Sequence, residues 1–141
     1  MAITIGLSAC LAGQEVRFDK SHKKSNFCMN ELSRHVSFKT YCPEVAIGLP
    51  VPRPTISQIK NNDVINVSSP DKTVDVTKEL AEYGQSVATK IEDLSGFIFT
   101  AKSPSCGMER VKIYHYNDEN KATGSDQTGV GMFAKLIMDI N

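Results

Sequence analysis

The chain contains no tryptophan, and aromatic side chains make up only 7 % of its 141 residues. Its core must therefore come from Ile, Val, Leu and Met with a small set of Phe and Tyr. Neither sign of charge is in excess: 16 Lys and Arg stand against 16 Asp and Glu. A neutral chain has no broad field with which to hold a long nucleic-acid backbone, so a nucleic-acid substrate is not expected. No apolar run is long enough for a membrane span. The opening residues M-A-I-T-I-G-L-S lack the basic segment of a secretory leader and read as a strand. No C-x-x-C pair of the zinc-ribbon or thioredoxin kind occurs. These absences point to a cytoplasmic protein of one domain, residues 1–141, with a small-molecule partner.

The elements follow from periodicity. Ala2 to Leu7 is a short, nearly continuous apolar run of the kind buried in a parallel sheet. Asn26 to His35 is predicted as a helix with Phe27, Leu32 and Met29 inward. Val36, Phe38 and Thr40 alternate as a second strand leading into Cys42. Pro43 suits the first turn of a brief helix that Gly48 ends. Pro50, Pro52 and Pro54 then impose a stiff, extended path. Ile56 to Val67 reads as a hairpin turning at Asn61-Asn62-Asp63. A long helix is expected from Thr77, whose hydroxyl can cap it, with Leu80, Tyr83, Val87, Ile91 and Leu94 as its buried stripe. Gly84 either weakens that helix or permits close packing. Gly96 to Lys102 is expected as a third central strand and Val111 to Tyr116 as a further one. The polar residues 117–127 are expected to be mobile. A final helix spans Gly129 to Ile140, with Val130, Phe133, Leu136, Ile137 and Ile140 inward. This alternation predicts an α/β fold, in the form of a single compact three-layer, Rossmann-like domain with a mostly parallel central sheet.

Of the four cysteines, three share a position. Cys10, Cys42 and Cys106 each follow an apolar strand-like segment. The carboxyl ends of parallel strands line one edge of an open sheet, where such folds hold ligands. Three thiols are too many for one disulfide and one too few to fill a tetrahedral site. The arithmetic favours a metal or iron–sulfur centre with one position open. Zinc with an activated water, separately buried cysteines, and two disulfides in an exported protein are the competing readings. Cys28 lies inside the predicted first helix and reads as a packing thiol, or as a fourth ligand that would saturate a cluster.

Other residues gain meaning if those thiols meet. Glu44, two positions after Cys42, would then stand beside the centre, able to position or deprotonate water. Its alternative is a plain acidic residue in a helix first turn. Ser103 and Ser105, in a turn restrained by Pro104 and loosened by Gly107, could bond a cluster sulfur or a substrate, or simply cap the turn. Arg17 and Asp19 could approach the same mouth. Arg17, Lys20, Lys23 and Lys24 form either an anion-attracting loop or a solvated run. Phe18, Tyr41 and Tyr114 could stack on a ring or pack the core.

The segments S-A-C-L-A-G-Q-E-V-R-F-D, C-P-E-V-A-I-G-L-P-V-P-R, D-V-T, K-S-P-S-C-G and the closing G-V-G-M-F-A-K-L, taken in this order, resemble the DUF523 family, which includes the small thiouracil desulfidases. The resemblance spans nearly the whole chain. It implies an α/β fold carrying an oxygen-sensitive [4Fe-4S] cluster, with Cys10, Cys42 and Cys106 as its ligands. It also implies a fourth iron that takes the sulfur of a thiolated pyrimidine, with Glu44 and Ser103 as the catalytic residues. Cys28 lies outside the pattern. The implied reaction is hydrolysis of 2-thiouracil or a close analogue to uracil and hydrogen sulfide, without nicotinamide or flavin. A second reading keeps the thiolates without turnover, in a regulator that senses sulfur or oxidation. One departure stands out: M-E-R-V-K-I-Y-H-Y-N-D replaces the I-Y-D-G-like continuation of many relatives, and is expected to reshape the pocket rim. Some relatives carry a second domain, so the resemblance implies only the minimal catalytic unit.

Overall fold

The structure, a computed structural model, describes residues 3–119 and 121–139. The expected positions Ala2 and Ile140 lie outside these residues. Strands β1 (Thr4–Ser8), β2 (Ser37–Tyr41) and β5 (Gly96–Ile98) form a three-stranded sheet in the order β2-β1-β5. Both pairings are parallel. Gly6, in the middle of β1, lies under the Phe97 ring; a Cβ there would fall 2.4 Å from it.

The other strands form a separate sheet, so the single central sheet expected from the sequence is divided in two. Its order is β4-β3-β6-β7, with β3 at Ser57–Asn61, β4 at Val64–Ser68, β6 at Val111–Tyr116 and β7 at Ala122–Gly129. β3 pairs parallel to β6, while β3–β4 and β6–β7 are antiparallel. The β3–β4 hairpin turns where predicted. Asn62 and Asp63 both take positive φ, 51° and 64°, as a two-residue turn matched to strand twist requires. The polar segment expected to be mobile is largely strand β7. It is polar because it forms an edge of the sheet and most of its side chains are exposed.

Two helices cover the sheets. α2 (Thr77–Ala88) buries Leu80, Gly84 and Val87, and α3 (Met132–Met138) buries Phe133, Ala134 and Ile137. A Cβ on Gly84 would stand 2.6 Å from Leu136 Cδ1, so the glycine serves close helix packing. Ile91 and Leu94 lie beyond the end of α2 but still pack on the same core. Phe133 sits at its centre, with ring centroids of Tyr83 at 5.6 Å and Phe97 at 5.9 Å. A second cluster joins Ile56, Val67, Val76 and Leu80. Thr77 does not cap α2. Its Oγ1 accepts the Val67 N–H and donates to Asp75, and Asp75 Oδ1 accepts the Thr77 N–H.

The first predicted helix is two short turns, a π turn at Phe27–Glu31 and a 3-10 turn at Leu32–Arg34. Phe27 is 65 % exposed and Cys28 is the buried residue, so the inward side differs from the prediction. The third central strand stops at Ile98 rather than Lys102. The chain leaves the ladder there because the Thr100 N–H donates to Ser8 Oγ, at 2.9 Å, and Lys102 turns with φ of 64°. The closing helix begins at Met132, because Gly129 still belongs to β7. Among the described residues, no helix is long and apolar enough to cross a membrane.

Candidate active site

β1 and β2 run parallel, so their carboxyl ends open on the same edge. There Ser8 leads into a 3-10 turn carrying Cys10, and Tyr41 leads into Cys42 and α1 (Pro43–Ala46). The chain beyond β5 supplies the Ser103–Gly107 turn to the same edge. One cavity of about 180 Å³ is lined by Cys10, Cys42, Cys106, Glu44, Ser103 and Ser105. The three cysteines and two catalytic candidates read from the sequence thus meet in one place. Cys28 does not line the cavity; it is buried elsewhere, and its N–H donates to Ser25 Oγ. All four cysteines are free.

The Ser103–Gly107 turn is fixed from three sides. Ser103 Oγ accepts the N–H of Ser105 and of Cys106. The Met132 N–H donates to Pro104 O, and those of Phe133 and Ala134 donate to Ser105 O, so the first N–H groups of α3 are satisfied by this turn. From β3, the buried Gln58 donates through Nε2 to Pro104 O and Val130 O, at 3.0 and 2.8 Å. A buried amide needs such partners. Nothing in the sequence distinguishes Gln58 from a solvent-facing strand residue.

Electrostatics in the cavity oppose free thiolates. Burial pushes the Cys106 thiol up to about 12, the charges of Cys42 and Glu44 add to this, and the Ser8 hydroxyl acts against it. Burial also raises Cys42, partly offset by the Val45 N–H at the start of α1. Thiols held protonated in this way lose their protons when a cationic centre binds. Among the described residues, no three His, Cys, Asp or Glu side chains are close enough to share one ion. Three thiolates on one zinc would each lie about 2.3 Å from it. A four-iron cluster instead takes each thiolate on a separate iron, so its ligands need only border a common cavity. Cys10, Cys42 and Cys106 do border one, and three thiolate donors on one cavity fit a cluster.

Glu44 is held on both oxygens. Oε1 accepts from Arg53 Nε and Nη2, at 3.2 and 3.0 Å, and Oε2 accepts from Ser105 Oγ, at 2.8 Å. Ser103 and Ser105 hydroxyls lie 3.0 Å apart. Because Ser105 gives its only proton to Glu44, the Ser103 hydroxyl is the donor between them. Ser103 therefore faces Glu44 through Ser105 rather than standing free to bond a substrate.

Arg17, Phe18 and Lys23 line the mouth. Asp19 does not; its carboxylate accepts from the Ser21 hydroxyl and N–H, and the hydroxyl above all lowers its pKa. Tyr41 touches the cavity but packs with Phe97, centroids 5.2 Å apart, and Tyr114 belongs to the second sheet. The divergent residues 108–118 also lie away from the cavity, so they do not form its rim as expected.

Comparison with known proteins places the chain as a whole. A solved structure described as a [4Fe-4S]-dependent thiouracil desulfidase, TudS (DUF523Vcz), superposes with a TM-score of 0.73 at 29 % identity, over 97 % of this chain and 85 % of that one. No curated protein matches the chain. The family model described as 2-thiouracil desulfurase matches residues 5–141, and this span contains the three cysteines, Glu44 and both serines of the cavity. With the match covering residues 5–141, the chain belongs to the 2-thiouracil desulfurase family.

Proposed function

We propose that this protein hydrolyses 2-thiouracil, or a closely related thiolated pyrimidine, to uracil and hydrogen sulfide. It would do so with a [4Fe-4S] cluster held by Cys10, Cys42 and Cys106. The observation that carries this is the convergence of those three thiols with Glu44 and Ser103 on one cavity. When bound, the cluster would supply a Lewis-acidic iron without a protein ligand, which polarises a carbon–sulfur bond.

The chain's own residues do the rest. Glu44 orients water towards the ring carbon and takes its proton, through an Oε2 lone pair that Ser105 leaves free. Arg53 and Ser105 keep that carboxylate from turning. Ser103 steadies Ser105. Phe18, at the mouth and 37 % exposed, offers an apolar face to a planar ring. The net reaction exchanges sulfur for oxygen with no change of redox state. The parallel β2-β1-β5 sheet is the part of the fold that a Rossmann-like layer would correspond to. The free cysteines favour a reducing, cytoplasmic setting.

The test is anaerobic preparation, with iron and acid-labile sulfide measured per chain and 2-thiouracil turnover followed as uracil and sulfide. Iron, sulfide and turnover together support the enzyme. A stable cluster that turns over no thiolated base would point instead to a sulfur- or redox-sensing regulator. Stoichiometric zinc alone would defeat both.

A further inference from the structure

We propose that Arg53 is a positioning residue that fastens the mouth of the cavity to Glu44, so that closing the mouth and aiming the carboxylate are one event. The proposal rests on the role given to Glu44 above.

Arg53 lies at the end of the proline-rich path, 9 % exposed overall, with its side chain 4 % exposed. A guanidinium buried so deeply must use its donors. Nε and Nη2 both turn to Glu44 Oε1. Nη2 also reaches Val16 O, at 2.9 Å, and Nη1 reaches Pro50 O, at 3.3 Å. The backbone N–H of Arg53 donates to Phe18 O, at 2.8 Å. One residue thus holds both ends of the Val16–Phe18 segment and the Glu44 carboxylate, all of which line the cavity.

Bonds from Gln14 Nε2 to Thr40 Oγ1 and from the Lys23 N–H to Cys10 O anchor the flanks of this loop, and the remaining backbone bonds between those anchors are local. The Val16 N–H goes to Gln14 O, Arg17 N–H to Ser21 O and Lys20 N–H to Arg17 O. Opening the mouth therefore means pulling Val16 O away from Nη2 and Phe18 O away from the Arg53 amide. Once Nη2 loses that partner, the guanidinium keeps only Glu44 and Pro50 O, and Glu44 Oε1 is aimed less firmly. The two-pronged grip also decides which carboxylate oxygen faces Ser105. A lysine, with a single ammonium on a flexible stem, cannot span Glu44, Val16 and Pro50 at once.

The experiment pairs Arg53→Lys with Glu44→Gln in anaerobically prepared, cluster-loaded protein, and reads steady-state kinetics, iron per chain and tryptic cleavage after Lys20. Pro54 prevents cleavage at position 53 in either form. Arg53→Lys should lower kcat about 10- to 100-fold, change KM much less, leave iron content unaltered, and speed cleavage after Lys20 on the order of tenfold. Glu44→Gln should also speed that cleavage, although residue 44 does not touch the loop, and the double variant should cleave no faster than Arg53→Lys alone. A kcat loss without faster cleavage, faster cleavage without a kcat loss, or additive effects in the double variant would each overturn the proposal. If Arg53→Lys does not fold, Glu44→Gln decides by itself: unchanged cleavage after Lys20 overturns the coupling. If the unaltered protein desulfurates nothing, the proposed activity has failed, and the cleavage comparison still tests whether Arg53 links loop and carboxylate.

Discussion

Replacing Gly131 by alanine should damage the site from a position that never touches the cavity. Gly131 precedes α3 with φ of −54° and ψ of 138°, a conformation that alanine accepts. The obstacle is space. A Cβ there would meet Ser105 C and O at 2.6 Å and Gly107 N at 2.7 Å. These are backbone atoms on either side of Cys106, and they cannot rotate away as a side-chain end would. Relief requires the Ser103–Gly107 turn to part from α3. That movement strains the bonds from the N–H groups of Gly131, Met132, Phe133 and Ala134 to Gly107 O, Pro104 O and Ser105 O. Overpacking a core costs about 1–3 kcal/mol, and a clash with fixed backbone belongs at the upper end, about 3 kcal/mol. A domain has about 5–15 kcal/mol of stability in all. For a chain of this size, such a loss should lower Tm by roughly 10 °C. Thermal unfolding by circular dichroism reads this without any cofactor, and iron per chain should fall because Cys106 moves with the turn. Gly96→Ala is the control: no heavy atom lies within 4 Å of its Cβ position, and Tm should barely change. If Gly131→Ala melts within about 2 °C of the parent and keeps its iron, the turn is not held by α3 in the way described.

Three further outcomes are expected. Serine in place of Cys10, Cys42 or Cys106 should sharply lower iron and acid-labile sulfide per chain. Cys28→Ser, a buried position off the cavity, should keep both, and equal losses in all four variants would contradict the ligand set. Glu44→Gln should retain the cluster and lose turnover, and full activity would remove Glu44 from the water-handling role. Asp126 is held down to about 2, first by the Thr128 hydroxyl and then by His115. Because its folded-state pKa is depressed, its contribution to stability is complete above the ordinary carboxylate range and fades as pH falls from about 4 towards 2. Asp126→Asn should therefore flatten the acid limb of a stability–pH curve in that window, and an unchanged limb would show that other carboxylates set it.

The order of segments, the hairpin at Asn62-Asp63 and the burial stripe through Leu80, Tyr83 and Val87 were legible in the chain, because each follows from local periodicity or turn chemistry. So was the candidate ligand set: cysteines placed after strands that pair in parallel must arrive at one edge. What local pattern could not reveal was pairing and partnership. The strands divide into two sheets because β3 of one hairpin pairs with β6 of another across more than fifty residues of chain. Gly96–Lys102 ends early because Ser8, a residue distant in the chain, takes the Thr100 amide. Phe27 looks inward by helical spacing, yet the chain makes a π turn there that buries Cys28 instead. At the site, the sequence offered Glu44 and Ser103 as candidates, but only tertiary contact made Ser105 the link between them, Arg53 the grip on Glu44 and Gln58 the brace of the cysteine turn. A hydrogen-bond partner is chosen by distance in space, and distance in space is what a linear chain does not carry.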